Sequence, residues 1–257
     1  MVTIKNASAV ANMKLAGEVT YHALVAVKEA VRPGISTWEL DEIAYETIIK
    51  AGAIPSFKGY GGFPGTICAS IDGEVVHGIP KKKRILKEGQ IISIDCGAIV
   101  NGYHGDSAFT VPVGQVDDEV YKLIKRTEES FWYAIKFAKD GARLHDVSAA
   151  VQRYVEQFGY GVVRELCGHG IGREMHEDPE VPNYGTPGTG MRLREGMTIA
   201  VEPMITLGDR AVYQHDDGWT VSTKDGKPAS HYEHTILITK NDPIILTIPE
   251  GKEGISA

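Results

Sequence analysis

The chain has 257 residues, of which 42% are hydrophobic and 24% charged, with 29 glycines in no three-residue period. That is an ordinary globular composition, which excludes disorder and a collagen-like fibre, and a chain this long buries about seven-tenths of its extended surface, leaving about 11,000 Å² exposed. The formal charge of −7 argues against DNA binding through a basic surface.

Met13, Ala16, Val19, Ala23, Val27 and Val31 keep a helical stripe that stops at Pro33-Gly34. Ser36 with Glu39 has capping-box spacing and starts a second helix, Thr37–Ala51, which ends at Gly52. Gly59-Tyr60-Gly61-Gly62 lacks the third glycine of a dinucleotide loop and reads as a turn. The basic run Lys81-Lys82-Lys83-Arg84 reads as a solvated loop. Ile91-Ile92-Ser93-Ile94 is a buried strand that ends in Asp95, and Asn101-Gly102 between apolar residues is a two-residue hairpin signal. Val120, Leu123, Thr127, Phe131, Ile135 and Ala138 form another helical stripe, followed by Val147, Val151, Tyr154 and Phe158; all of these read as core faces.

The start, Met1-Val2-Thr3-Ile4-Lys5, has no apolar stretch of the signal-peptide kind, and no apolar run reaches the length of a membrane span. Three cysteines, Cys68, Cys96 and Cys167, with no Cys-x-x-Cys, point to a reducing cytoplasm.

The chain repeats itself. Leu86-Lys87-Glu88-Gly89 and Leu193-Arg194-Glu195-Gly196 stand 107 residues apart, and the same offset relates Gly34 to Gly141, Gly52 to Gly159, and the segments 37–51 and 144–158. We read one domain, 1–257, made of two homologous halves of about 1–112 and 113–250, with no extra N-terminal domain. The fold class is α+β, with antiparallel strands in a central curved sheet and helices packed on its outside.

The repeat also places carboxylates where strands should be apolar. Asp95 and Glu202 close matching strands, and a buried carboxylate is costly without a cation. If Val100 pairs with Tyr103 across the hairpin, Asp106 lies opposite Gly97, a diagonal neighbour of Asp95 on the same face. Gly97 then leaves space for an ion. The second half contributes Glu233 at the corresponding hairpin, after a longer loop containing Asp216-Asp217-Gly218-Trp219. His169, between Gly168 and Gly170 in a polar and flexible stretch, completes an oxygen-rich set. Four carboxylates over-compensate one divalent ion, so the set suits two, about 3.5 Å apart and bridged by carboxylates. Mn, Fe or Co fits these donors at least as well as Zn.

The same residues form a pattern. With Val76-His77-Gly78-Ile79-Pro80, Asn101-Gly102-Tyr103-His104-Gly105-Asp106, Cys167-Gly168-His169-Gly170-Ile171-Gly172, Glu202-Pro203-Met204 and Tyr232-Glu233-His234-Thr235, the chain resembles the type I methionine aminopeptidases over nearly its whole length. The resemblance implies the pseudo-two-fold "pita-bread" fold. It also implies that Asp95 holds one metal, His169 and Glu202 the other, and that Asp106 and Glu233 bridge both. His77 and His176 would contact substrate, with His176 stabilising the tetrahedral intermediate, and Tyr60, Phe63, Cys68 and Trp219 would form the methionine pocket, with Phe57 and Met175 nearby. His104, His231 and His234, beside ligands, read as supporting or structural residues.

The implied activity is hydrolytic removal of N-terminal methionine from peptides and nascent chains when the second residue is small, with Glu202 passing a proton to the leaving amine. This chain's own Val2 fits that rule. The expected enzyme is a cytoplasmic monomer, and a ribosome contact for the lysine run stays open. Two rivals share the fold. A proline-directed aminopeptidase or prolidase would carry a large N-terminal domain ahead of the ligands, and a non-catalytic binding member would have lost ligands that stand here. Only 25 residues separate His176 from Glu202, which leaves no room for the inserted subdomain of type II enzymes.

Overall fold

The structure is a computed structural model that describes residues 2–257, so Met1 lies outside the described residues. Among the described residues four α-helices are laid out as two pairs: α1 (Ala7–Ala30) with α2 (Thr37–Lys50), and α3 (Asp118–Ala134) with α4 (Leu144–Glu156). Asn6 caps α1 by accepting from the Ala9 amide, and the Ser36–Glu39 capping box opens α2.

The strands in chain order are β1 (Ile54–Pro55), β2 (Ile67–Ile71), β3 (Glu74–Val76), β4 (Gln90–Val100), β5 (Tyr103–Val113), β6 (Gly161–Val162), β7 (Gly168–Gly170), β8 (Glu177–Val181), β9 (Thr198–Val201), β10 (Met204–Thr206), β11 (Val212–Gln214), β12 (Val221–Thr223), β13 (Ala229–His231), β14 (Glu233–Leu237) and β15 (Ile244–Ile245). The main sheet runs β1-β4-β5-β14-β9-β7-β8, with β2 also on β4 and β15 on β14. Two three-stranded sheets, β13-β10-β6 and β11-β12-β3, flank it. Every pairing among the described residues is antiparallel.

Several backbone contacts recur 107 residues apart. The Gly34 amide donates to the Leu86 carbonyl, and the Gly141 amide donates to the Leu193 carbonyl. Isolated bridges join Ser36 to Ile85 and Arg143 to Arg192. Ile54 and Pro55 pair with Ile99 and Ala98, while Gly161 and Val162 pair with Thr206 and Ile205.

Strand alternation separates two faces of the sheet. Ile92, Ile94, Cys96 and Ala98 of β4 join Phe109 and Val111 of β5 in one core with Leu24 and Val27 of α1 and Leu40 and Ile48 of α2. The approach is close: a Cβ on Gly105 would sit 2.6 Å from the Gly17 amide nitrogen of α1. The opposite face, with the odd-numbered residues of β4, carries Asp95. Burial of this kind stabilises by roughly 25 cal/mol per Å² of apolar surface, and the folded chain exposes 11092 Å², the area that mass scaling leads one to expect.

Four expectations need correction. The first-half strand does not end at Asp95; β4 runs on to Val100. Phe158 is not core: it lies beyond α4, 41% exposed, with the Arg126 guanidinium 4.3 Å over its ring. Arg84 is not a free member of a solvated run, because it ion-pairs with Glu74 and donates to the Ile79 carbonyl at 3.2 Å; Lys81, Lys82 and Lys83 are exposed. The His169 segment is not a flexible loop but the buried strand β7, where a Cβ on Gly170 would fall 2.0 Å from the Asp178 carbonyl oxygen.

Candidate metal centre and substrate cavity

The hairpin positions the first carboxylates. Asn101 and Gly102 both take positive φ, 52° and 75°, as a type I′ turn requires. That turn sets the register of all eleven β4–β5 pairs, from Val100–Tyr103 to Gln90–Val113, and puts Asp106 opposite Gly97 and Asp95 opposite Ala108. The space at Gly97 is not for an ion, however. A Cβ there would meet Ser56 Cβ at 2.8 Å and Phe57 Cε1 at 3.0 Å, so the glycine admits the segment that follows β1.

One row crosses the sheet at this level. Cys68 of β2 pairs with Asp95, Asp95 with Ala108, and Ala108 with Glu233 of β14. Cross-strand partners share a face, so Cys68, Asp95 and Glu233 project to one side, with Asp106 one step along the same face. On the other flank of β14 lies β9, with His234 opposite Val201, and Glu202 follows β9 directly. β7 sets His169 beside this strand through the Gly170–Ile199 pair.

The five expected metal ligands therefore come together from both halves. His169 Nε2 lies 3.7 Å from Asp106 Oδ2 and 3.7 Å from Glu202 Oε1. Asp95 Oδ1, Asp106 Oδ1 and Glu233 Oε1 are buried without any hydrogen-bond partner. Buried carboxylate oxygens are costly when unpaired, so this donor set fits a cation. Two groups have ligand atoms within 4.8 Å of one another: Asp106, His169 and Glu233, and Asp95, His231 and Glu233.

Electrostatics agree. Burial pushes the Asp95 carboxyl up to about 7. Burial first, then the Glu233 and Asp95 charges, raises Asp106 well above the usual carboxylate range. Burial and the Asp106 and Asp95 charges raise Glu202, and burial with the Glu202 and Asp95 charges raises Glu233. Burial also holds His169 down at about 4 and His231 at about 3, so both rings are neutral and available as ligands at pH 7.

A cavity of about 290 Å³ opens over the cluster. All the expected pocket residues line it: Tyr60, Phe63, Cys68 and Trp219, with Phe57 and Met175. Phe57, Phe63, Cys68 and Met175 are buried as one apolar group, and the Trp219 ring meets Phe63 edge-on at 5.1 Å. Trp219 is held by a loop in which Asp217 Oδ1 accepts from the Trp219 and Thr220 amides, both at 2.9 Å.

His77 and His176 also reach this cavity. His77 has a φ of 60°, rare for a side-chain-bearing residue and costly unless its surroundings hold it there. Burial and the neighbouring His176 lower its pKa to about 4. His176 stands at the exposed mouth, its Nδ1 2.7 Å from the Tyr60 hydroxyl and its ring 4.3 Å from that of His169.

His104 and His234 point elsewhere. His104 Nδ1 meets Ser56 Oγ at 3.0 Å, and His234 bonds Thr247, Ser107 and Tyr232. His231 differs: its Nε2 is buried, unpartnered, 3.8 Å from Glu202 Oε2 and 3.7 Å from Glu233 Oε2. No period marks it in the sequence, since it ends the three-residue strand β13 while Glu233 begins β14 in another sheet. Val76, Leu166, Cys167 and Met204 also line the cavity without having been anticipated.

The model of metallopeptidase family M24 matches residues 11–240. A methionine aminopeptidase of Clostridium acetobutylicum is 53% identical, over 97% of this chain and all of the relative. The crystal structure of the Thermotoga maritima methionine aminopeptidase superposes with a TM-score of 0.95 at 47% identity, covering 96% of this chain and 99% of that one. A prolidase from Pyrococcus furiosus is more distant, with a TM-score of 0.78 and 25% identity, and this chain covers 66% of it. These likenesses establish the pita-bread fold.

Proposed function

The chain belongs to metallopeptidase family M24, and we infer that it is a hydrolase that removes the N-terminal methionine from peptides. The observation that carries this reading is one cavity with an apolar wall at one end and partnerless buried carboxylates at the other. Phe57, Phe63, Met175 and Trp219 offer an unbranched thioether the soft, aromatic contacts it packs against well.

Family membership implies divalent metal, and we take the number as two, held by Asp95, Asp106, His169, Glu202 and Glu233, with Co, Mn, Fe and Zn all compatible with these donors. The two ligand groups that share Glu233 support two ions and a bridging role for that carboxylate. Bound there, they would supply water made acidic near neutral pH, polarise the scissile carbonyl and anchor the free α-amine, which restricts cleavage to the first bond.

The chain's own residues do the rest. Glu202, buried with Oε1 3.7 Å from His169 Nε2, would take the proton given up by the attacking water and pass it to the leaving amine. In the tautomer in which the Tyr60 hydroxyl donates to His176 Nδ1, the other ring nitrogen carries the hydrogen and would donate to the developing oxyanion. His77, fixed in its left-handed conformation, contacts the substrate backbone. We further propose that the second residue must be small, and that the enzyme works as a monomer on peptides and nascent chains in the cytoplasm, where its three free cysteines stay reduced.

The test is cleavage of Met-Ala-x, Met-Leu-x and Ala-Pro-x peptides after reconstitution with Co, Mn, Fe or Zn. Release of methionine from the first alone is the expected result. Preference for Ala-Pro-x would move the protein to the proline-directed class, and cleavage of none would favour a binding member.

A further inference from the structure

His231 stands to Glu202 and Glu233 as His169 stands to Asp106 and Glu202. Both imidazoles are buried, and both direct Nε2 between two carboxylates at 3.7–3.8 Å. That spacing is too long for a hydrogen bond, which needs about 2.7–3.2 Å. It is close to the separation of two donors that share one ion at about 2.0–2.2 Å each. The atom is also without a hydrogen-bond partner in a buried setting, as are Asp95 Oδ1 and Glu233 Oε1 beside it.

The backbone of His231 is tied down by the sheet. Its amide donates to Thr110 Oγ1 at 2.9 Å, its carbonyl accepts from the same hydroxyl at 2.8 Å, and it pairs with Met204. A ring aimed this firmly at two carboxylates, with nothing to bond, is pre-organised for a cation.

We propose that His231 Nε2 is a ligand of the metal position built on Asp95 and Glu233, so that each of the two positions carries one imidazole. The inference rests on the reading of this site as a two-metal centre. It makes the centre more nitrogen-rich than the five-residue set, and so shifts its preference from Mn towards Co and Zn.

The experiment uses the whole protein loaded with cobalt. X-ray absorption at the cobalt edge counts imidazoles in the wild type, so it does not depend on any variant folding. One imidazole per cobalt is expected; one for every two cobalts overturns the proposal. Calorimetric cobalt titration of the wild type, His231→Gln and His231→Ala gives an independent reading. The expected result is two tight equivalents in the wild type and a loss of at least about tenfold in affinity for one of them in both variants. Two unchanged equivalents in folded variants would overturn the role of His231 while leaving the metal centre standing. A wild type that binds no cobalt would overturn the metal centre itself, and this inference with it.

Discussion

The two halves solve one problem in different ways. In the first, Asp95 and Asp106 sit on one hairpin closed by two residues, Asn101 and Gly102, and their register is local. In the second, Glu202 and Glu233 stand 31 positions apart, and the added loop carries β11 and β12. The extra chain delivers Trp219 to the cavity wall. The recurring part of the fold thus brings the carboxylates together, and the inserted loop adds apolar cavity wall. If so, damage to the recurring part should remove chemistry, and damage to this detour should tune it.

The largest effect is expected at Asp106. Asp106→Ala takes away a carboxylate shared by the centre, and metal chemistry is worth several kcal/mol in the transition state, so activity should fall by about a thousandfold or more, with metal lost in elemental analysis. Full activity would break the shared-centre account. Next is His176→Ala, which should lower kcat by roughly a hundredfold while metal content stays at the wild-type level. A collapse of metal stoichiometry instead would make His176 part of the centre.

Smaller is Trp219→Ala on the detour. It should raise KM for methionyl peptides about tenfold, the equivalent of about 1.4 kcal/mol, with kcat nearly unchanged in steady-state assays. A large fall in kcat would mean that the detour carries chemistry as well as recognition.

A pH test separates charge from packing. In the metal-free protein burial holds Asp95 up at about 7, so below that pH it keeps a proton that a cation must displace. Metal affinity should weaken as pH falls from 8 to 6, with proton release visible when calorimetry is repeated in buffers of different protonation enthalpy. Affinity independent of pH over that range would contradict the picture of crowded carboxylates.

How much of this was legible in the chain differs between the halves for the same reason. Asn101-Gly102 dictates a turn type, the turn dictates register, and register carries Asp106 to its place; each step is local. The capping box at Ser36 and Glu39 and the 107-residue offset were equally readable. The detour was not, because strands of three residues such as Val212–Gln214 and Val221–Thr223 are too short to show a period. Gly97 misled because a glycine opposite a carboxylate looks like room for a ligand, and only the fold shows Ser56 and Phe57 filling it. Gly170 misled in the opposite sense, since its small size serves close strand packing and not mobility.

The central claim is that both halves close on one pair of metal ions. Anomalous diffraction from crystals grown with cobalt, recorded at its absorption edge, tests it most directly. The account calls for two peaks about 3.5 Å apart with Glu233 between them, one beside Asp95 and one beside His169. A single peak held by the residues of one half, or peaks away from these carboxylates, would contradict it.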